Sequence, residues 1–167
     1  LLVYAIVATS ARTPLQAAAV AACMLLAPAA EAVLGLVQFV TADGPPTFLV
    51  AGGRFSRAYG TIGQPNSFAG YINMAWPLAV ALALGGLFAR GDGRWATGNG
   101  PAARAQGMPF AFRPWSLLAA GAALLLLAAL VASYSRGGWV GAAGGGAALL
   151  LLGQWAKGRG QRGEAPR

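Results

Sequence analysis

Histidine is absent from this chain of 167 residues, cysteine occurs once, and only 10% of the residues are charged. With a lone Cys23 and no His, neither an intrachain disulfide nor a zinc cluster can form. A soluble domain of this length would need far more charge at its surface than this one carries. No recognisable nucleic-acid module is present, so the net charge of +8 does not point to DNA or RNA. No repeat of fixed period is visible. The first residues, LLVYAIVATS, are not expected to be a secretory signal peptide, because they are apolar where such a peptide begins with basic ones. That opening run of about nine apolar residues is too short to cross a hydrocarbon core of roughly 30 Å. It is expected to be the end of a severed helix, which makes the sequence an internal fragment.

What is abundant is apolar: 57% of the residues are hydrophobic, and Ala, Leu and Gly dominate. The expected fold is all-α, a polytopic transmembrane bundle of about four full spans plus the tail of a truncated one. Residues 1–155 form its membrane core and residues 156–167 a basic cytoplasmic tail. The spans are expected at about 15–40, 66–89, 115–134 and 139–155. Pro65 suits the first turn of the second, and Pro77 marks a kink within it. Between the first two spans, residues 41–64 are rich in Gly and Pro and form an outer loop, since irregular backbone is not tolerated in lipid. Residues 90–114 form a flexible cytoplasmic loop, and Ser135-Arg136-Gly137-Gly138 a tight outer turn. Trp115, Tyr134, Trp139 and Trp155 fall where an aromatic belt at the membrane surface would place them.

The twelve basic residues divide unevenly over this topology. Arg12, Arg90, Arg94, Arg104, Arg113, Lys157, Arg159, Arg162 and Arg167 all fall on one side, which the positive-inside rule makes cytoplasmic. There they meet anionic lipid head groups. Arg54, Arg57 and Arg136 lie on the opposite side, at the ends of apolar segments. Charges so placed usually face a cavity, a partner or an anionic ligand. They are read here as a phosphate-binding site.

Arg57 opens the stretch RAYGTIGQPNSFAGY, Arg57 to Tyr71, the densest run of polar information in the chain. Gly60 and Gly63 allow close backbone approach, and Pro65 begins a helix whose free N–H groups attract anions. A guanidinium adds a planar fork matched to phosphate oxygens. An arginine that merely snorkels to lipid head groups is the plainer alternative. Asn66, Gly70, Asn73 and Pro77 share one helix face beneath the loop. For Asn66 the plainer role is capping, and for Asn73 a bond to a neighbouring helix is preferred. Arg136 returns to the same surface in Ser133-Tyr134-Ser135-Arg136-Gly137-Gly138, where Ser135 either binds phosphate or, preferably, caps the turn. Gly137, Gly141 and Gly145 repeat every fourth residue, a pattern for close helix packing. Glu31, inside the first span, is a candidate through its burial, with an arginine or another structural partner expected; Asp43 has no motif around it.

The two motifs, in this order and on one side, resemble the core of the O-antigen ligase and O-antigen polymerase superfamily. The resemblance covers residues 15–155: an outer R-x-x-G and a Pro-Asn that opens a helix, then Ser-Arg-Gly after another helical pair. It implies a membrane glycosyltransferase of the GT-C type in the inner (plasma) membrane. Such an enzyme moves a glycan from a polyprenyl diphosphate, of the undecaprenyl kind, to a lipid, glycan or protein acceptor hydroxyl on the extracytoplasmic face. Lipopolysaccharide and other cell-envelope polysaccharides are made in this way. It implies no metal or other cofactor. It implies that Arg57 and Arg136 are the catalytic residues, binding the diphosphate and stabilising it as it leaves, with Arg54, Gly60, Asn66 and Ser135 as further substrate-binding candidates. The ligases carry a catalytic His in a later outer loop, and this chain has none, so the fragment is not expected to turn over alone. Two alternatives stay open: a transporter or flippase of an anionic lipid-linked substrate, and a non-catalytic membrane subunit.

Overall fold

A computed structural model describes residues 13–88 and 114–162. Four helices account for most of them: α1 (Pro14–Thr41), α2 (Pro65–Phe88), α3 (Pro114–Ala132) and α4 (Arg136–Arg162). The expected severed helix at the start of the chain, residues 90–113 of the expected loop and six of the nine like-sided cations lie outside the described residues.

Among the described residues three helices are long and apolar enough to cross a membrane: Leu15–Thr41, Pro65–Leu84 and Trp115–Ala132. The expected four full spans are therefore matched by three on length and composition. The fourth helix is present and has 27 residues, but six glycines in its first eleven positions and a polar last third dilute its apolar stretch. It also continues to Arg162, past the expected start of a tail at residue 156.

Local sequence explains the helix ends. Thr13 and Gln16 form a reciprocal capping box at the start of α1, with Pro14 in the first turn. At the other end Ala42 takes a left-handed conformation and returns its N–H to the Gln38 carbonyl. Pro65 begins α2, as its fixed φ and missing N–H favour.

The helices alternate in direction, so the α1–α2 connection and the α3–α4 connection share one end of the bundle. α3 packs along α2 and α1, whereas α4 leans chiefly on α2. Phe68, Ile72, Leu126 and Leu130 fill the core, and much of the remainder is alanine: Ala32, Ala69, Ala75, Ala79, Ala123 and Ala129. Small residues let helices approach closely where lipid offers no hydrophobic drive to associate. The large apolar side chains point outward, Leu118, Leu124, Val140 and Leu151 among them, as lipid-facing positions do.

The α1–α2 connection is ordered by contacts with the helices. It contains a one-turn helix (Pro46–Phe48), a minimal hairpin of β1 (Leu49–Val50) and β2 (Phe55–Ser56), and a second short turn (Gly60–Ile62). Phe39 of α1 stacks on Phe55 at 4.7 Å between ring centroids and on Tyr134 at 6.2 Å. Trp139 continues the series at 6.2 Å from Tyr134. These four rings join α1, the hairpin and the start of α4 at one end of the bundle.

Candidate functional site

Both arginine motifs open onto one cleft. A cavity of about 570 Å³ is lined by Arg57, Asn66, Gly70, Asn73, Tyr134, Ser135, Arg136, Gly137 and Gly138. Residues far apart in sequence are brought there by backbone pairing, since the Ala58 N–H donates to the Ala132 carbonyl at 2.9 Å.

Arg57 is half-buried and its orientation is fixed. Its Nε donates to the Ser133 carbonyl at 2.9 Å, and one terminal nitrogen reaches Asn66 Oδ1 at 3.1 Å and the Tyr134 carbonyl at 3.4 Å. All three acceptors are neutral, so the cationic charge is oriented without being neutralised. Asn66 lies in the first turn of α2 and serves as a rest for Arg57; the residue whose side chain reaches a first-turn N–H is Gln64, at 3.4 Å from the Asn66 nitrogen.

Around Arg136 the structure corrects the expected tight turn. The connection is only Ser133, Tyr134 and Ser135, and Arg136, Gly137 and Gly138 already form the first turn of α4. Two glycines suggest a turn by propensity, but Ser135 outweighs them as a cap: its Oγ accepts the Gly138 N–H at 3.2 Å, and its carbonyl accepts the Trp139 N–H at 3.0 Å. Ser135 thus holds its own helix, the capping role preferred from sequence. Arg136 is exposed at the first helical position, beside first-turn N–H groups that have no intrahelical acceptor. Tyr134 adopts φ +50°, a conformation that costs a non-glycine residue roughly 1–2 kcal/mol, and thereby turns its carbonyl toward Arg57.

Of the face expected from sequence, Asn66, Gly70 and Asn73 line the cleft and Pro77 does not. Asn73 also bridges helices, donating to the Gly138 carbonyl at 2.8 Å and accepting from Trp76 Nε1 at 3.1 Å. The expected glycine repeat holds at Gly141 and Gly145 and differs at its first position. Gly138 makes the tightest approach, where a Cβ would come within 2.7 Å of the Ala69 Cβ, while Gly137 faces open space. Gly141 and Gly145 pack toward Asn73 and Trp76 of α2.

Two candidates sit apart from the cleft. Arg54 is exposed in the hairpin turn and does not line it. Gly60 is buried against α1 and Phe68, where its φ of +59° and the lack of a side chain admit the Glu31 carboxylate. Its part is architectural. The partner of Glu31 is Thr61, whose N–H donates to Oε2 at 2.9 Å and whose hydroxyl donates to Oε1, and among the described residues no arginine contacts it. Sequence reasoning passed over Gln38, although it follows Glu31 by seven residues and so shares its helix face. Buried at 8% exposure, it accepts from the Gly60 N–H at 2.8 Å and the Tyr59 N–H at 3.4 Å and donates to the Gly60 carbonyl at 3.2 Å.

No protein-family profile, curated protein or solved structure matches this chain.

Proposed function

We propose that the cleft binds the diphosphate of a polyprenyl-diphosphate-linked glycan, and that the whole protein transfers the glycan to an acceptor hydroxyl at the extracytoplasmic face of the inner membrane. The observation that carries this is the convergence of Arg57 and Arg136 on one cavity, with no carboxylate among the described residues bonded to either. The resemblance of the two motifs to the O-antigen ligase and polymerase superfamily supplies the reaction class. Three apolar helices and the outward-facing apolar side chains support a membrane setting.

In such a transfer the acceptor oxygen attacks the anomeric carbon while the bond from that carbon to the diphosphate breaks. The electron pair passes to the leaving oxygen, where charge develops. Preoriented guanidinium groups stabilise that charge most strongly where little water competes. Arg57 supplies a fixed cation, and Arg136 adds an exposed one next to the N-terminus of α4, whose dipole favours an anion. The proton of the acceptor hydroxyl passes to a base, for which the resemblance implies a His in a later outer loop of the whole protein.

In the whole protein, Arg57→Ala and Arg136→Ala should each abolish glycan transfer while leaving membrane insertion intact. Lysine at either position should restore transfer only in part, because an ammonium cannot form the bidentate fork. Near-normal transfer by both alanine variants would overturn the assignment.

A further inference from the structure

We propose that Glu31 and Gln38, two polar residues on one face of α1, are positioning residues that hold the Arg57 segment down against the bundle; this rests on the diphosphate assignment above. Neither residue lines the cleft, and they act through the backbone of residues 59–61.

The physical need is plain. Tyr59, Gly60 and Thr61 present three successive N–H groups that no helix or strand satisfies, beside an apolar span where unpaired backbone is not tolerated. Gln38 accepts the first two and also donates to the Gly60 carbonyl, while Glu31 accepts the third and the Thr61 hydroxyl. α1 thus replaces, with two side chains, the partners that water would otherwise provide. Gly60 makes the approach possible, because a Cβ there would strike the Glu31 carboxylate and come within 2.9 Å of the Phe68 ring.

Directly upstream, Ala58 is fully buried and bonded to the last turn of α3, and Arg57 bonds the residues that follow it. Residues 57–61 therefore bridge α1 to the α3–α4 junction, with Arg57 at the junction end. With the α1 end released, residues 59–61 can regain hydrogen bonds only by rising toward water. Arg57, two residues before Tyr59, then leaves its carbonyl acceptors. Glu31 needs its hydrogen-bonding shape for this role and not its charge: a glutamine can accept the Thr61 N–H through its oxygen and meet the hydroxyl through its amide.

The test uses the whole protein in sealed cells stripped of their outer layers, with Glu31→Ala, Glu31→Gln and Gln38→Ala. Phenylglyoxal modification of Arg57 is followed by mass spectrometry against the exposed Arg54 as internal reference, and glycan transfer is measured at saturating donor. Arg57 should react more slowly than Arg54 in the wild type and in Glu31→Gln, and approach the rate of Arg54 in both alanine variants. The turnover of the alanine variants should fall by about ten- to a hundredfold, as expected for losing the hydrogen-bond partners of residues 59–61, with acceptor KM unchanged. Glu31→Gln should transfer at close to the wild-type rate.

Three results would overturn the proposal. They are Arg57 still protected in both alanine variants, Arg57 released with turnover unchanged, or Glu31→Gln inactive with Arg57 still protected. A wild type that transfers no glycan refutes the diphosphate assignment, and the modification rates then decide the positioning role separately.

Discussion

Replacing Gly60 with alanine isolates the contact between the α1–α2 connection and α1, because Gly63 provides a matched control. Both glycines have positive φ, +59° and +76°, so each substitution carries the left-handed cost of roughly 1–2 kcal/mol. They differ in surroundings. Nothing lies within 4 Å of a Cβ at Gly63, whereas at Gly60 it would meet the Glu31 carboxylate and Phe68. Displacing that carboxylate costs its bonds to Thr61, about 1–3 kcal/mol for a partly exposed pair of this kind. Gly60→Ala is therefore expected to destabilise by about 2–5 kcal/mol and Gly63→Ala by about 1–2 kcal/mol. Heating each purified variant in detergent and following loss of the monodisperse species gives apparent midpoints that compare under one scan rate. The Gly60 midpoint should fall clearly below that of Gly63; equal midpoints would refute the packing of Gly60 against Glu31.

Gly138→Ala should separate α4 from α2 and lower both thermal midpoint and transfer, while Gly137→Ala, which faces open space, should leave the thermal midpoint close to wild type; the reverse order would contradict the observed helix face. With Cys23 replaced by alanine, an Arg54→Cys variant should react with a membrane-impermeant maleimide in intact sealed cells, since Arg54 is exposed in the connection assigned to the outer face. Labelling only after lysis would invert the topology. Ser135→Ala should weaken the start of α4 by about 1 kcal/mol through loss of its cap, and glycine there should cost less.

The apolar runs made α1, α2 and α3 legible to within a residue or two of their ends, since polar and Gly- or Pro-rich segments bound each run. The joint placement of Arg57 and Arg136 was legible too, because alternating helices bring alternate connections to one end. The start of α4 was not: Arg-Gly-Gly reads as a turn by propensity, and only the Ser135 cap shows that the helix has begun. Gly60 looked like a ligand-approach glycine and is instead the point where the connection meets Glu31. Both that contact and the three bonds of Gln38 depend on how residues 41–64 fold back, a tertiary event with no periodic signature. Arg54 shares composition with Arg57 but not its neighbours, as the hairpin turn carries it outward.

The most direct measurement is equilibrium binding of a polyprenyl diphosphate, against the matching polyprenyl alcohol, to the purified whole protein and to its Arg57→Ala and Arg136→Ala variants. The wild type should bind the diphosphate at least tenfold more tightly, about 1.4 kcal/mol, and each variant should lose most of that preference. Equal affinity for diphosphate and alcohol in the wild type, or an undiminished preference in both variants, would contradict the assignment of the cleft.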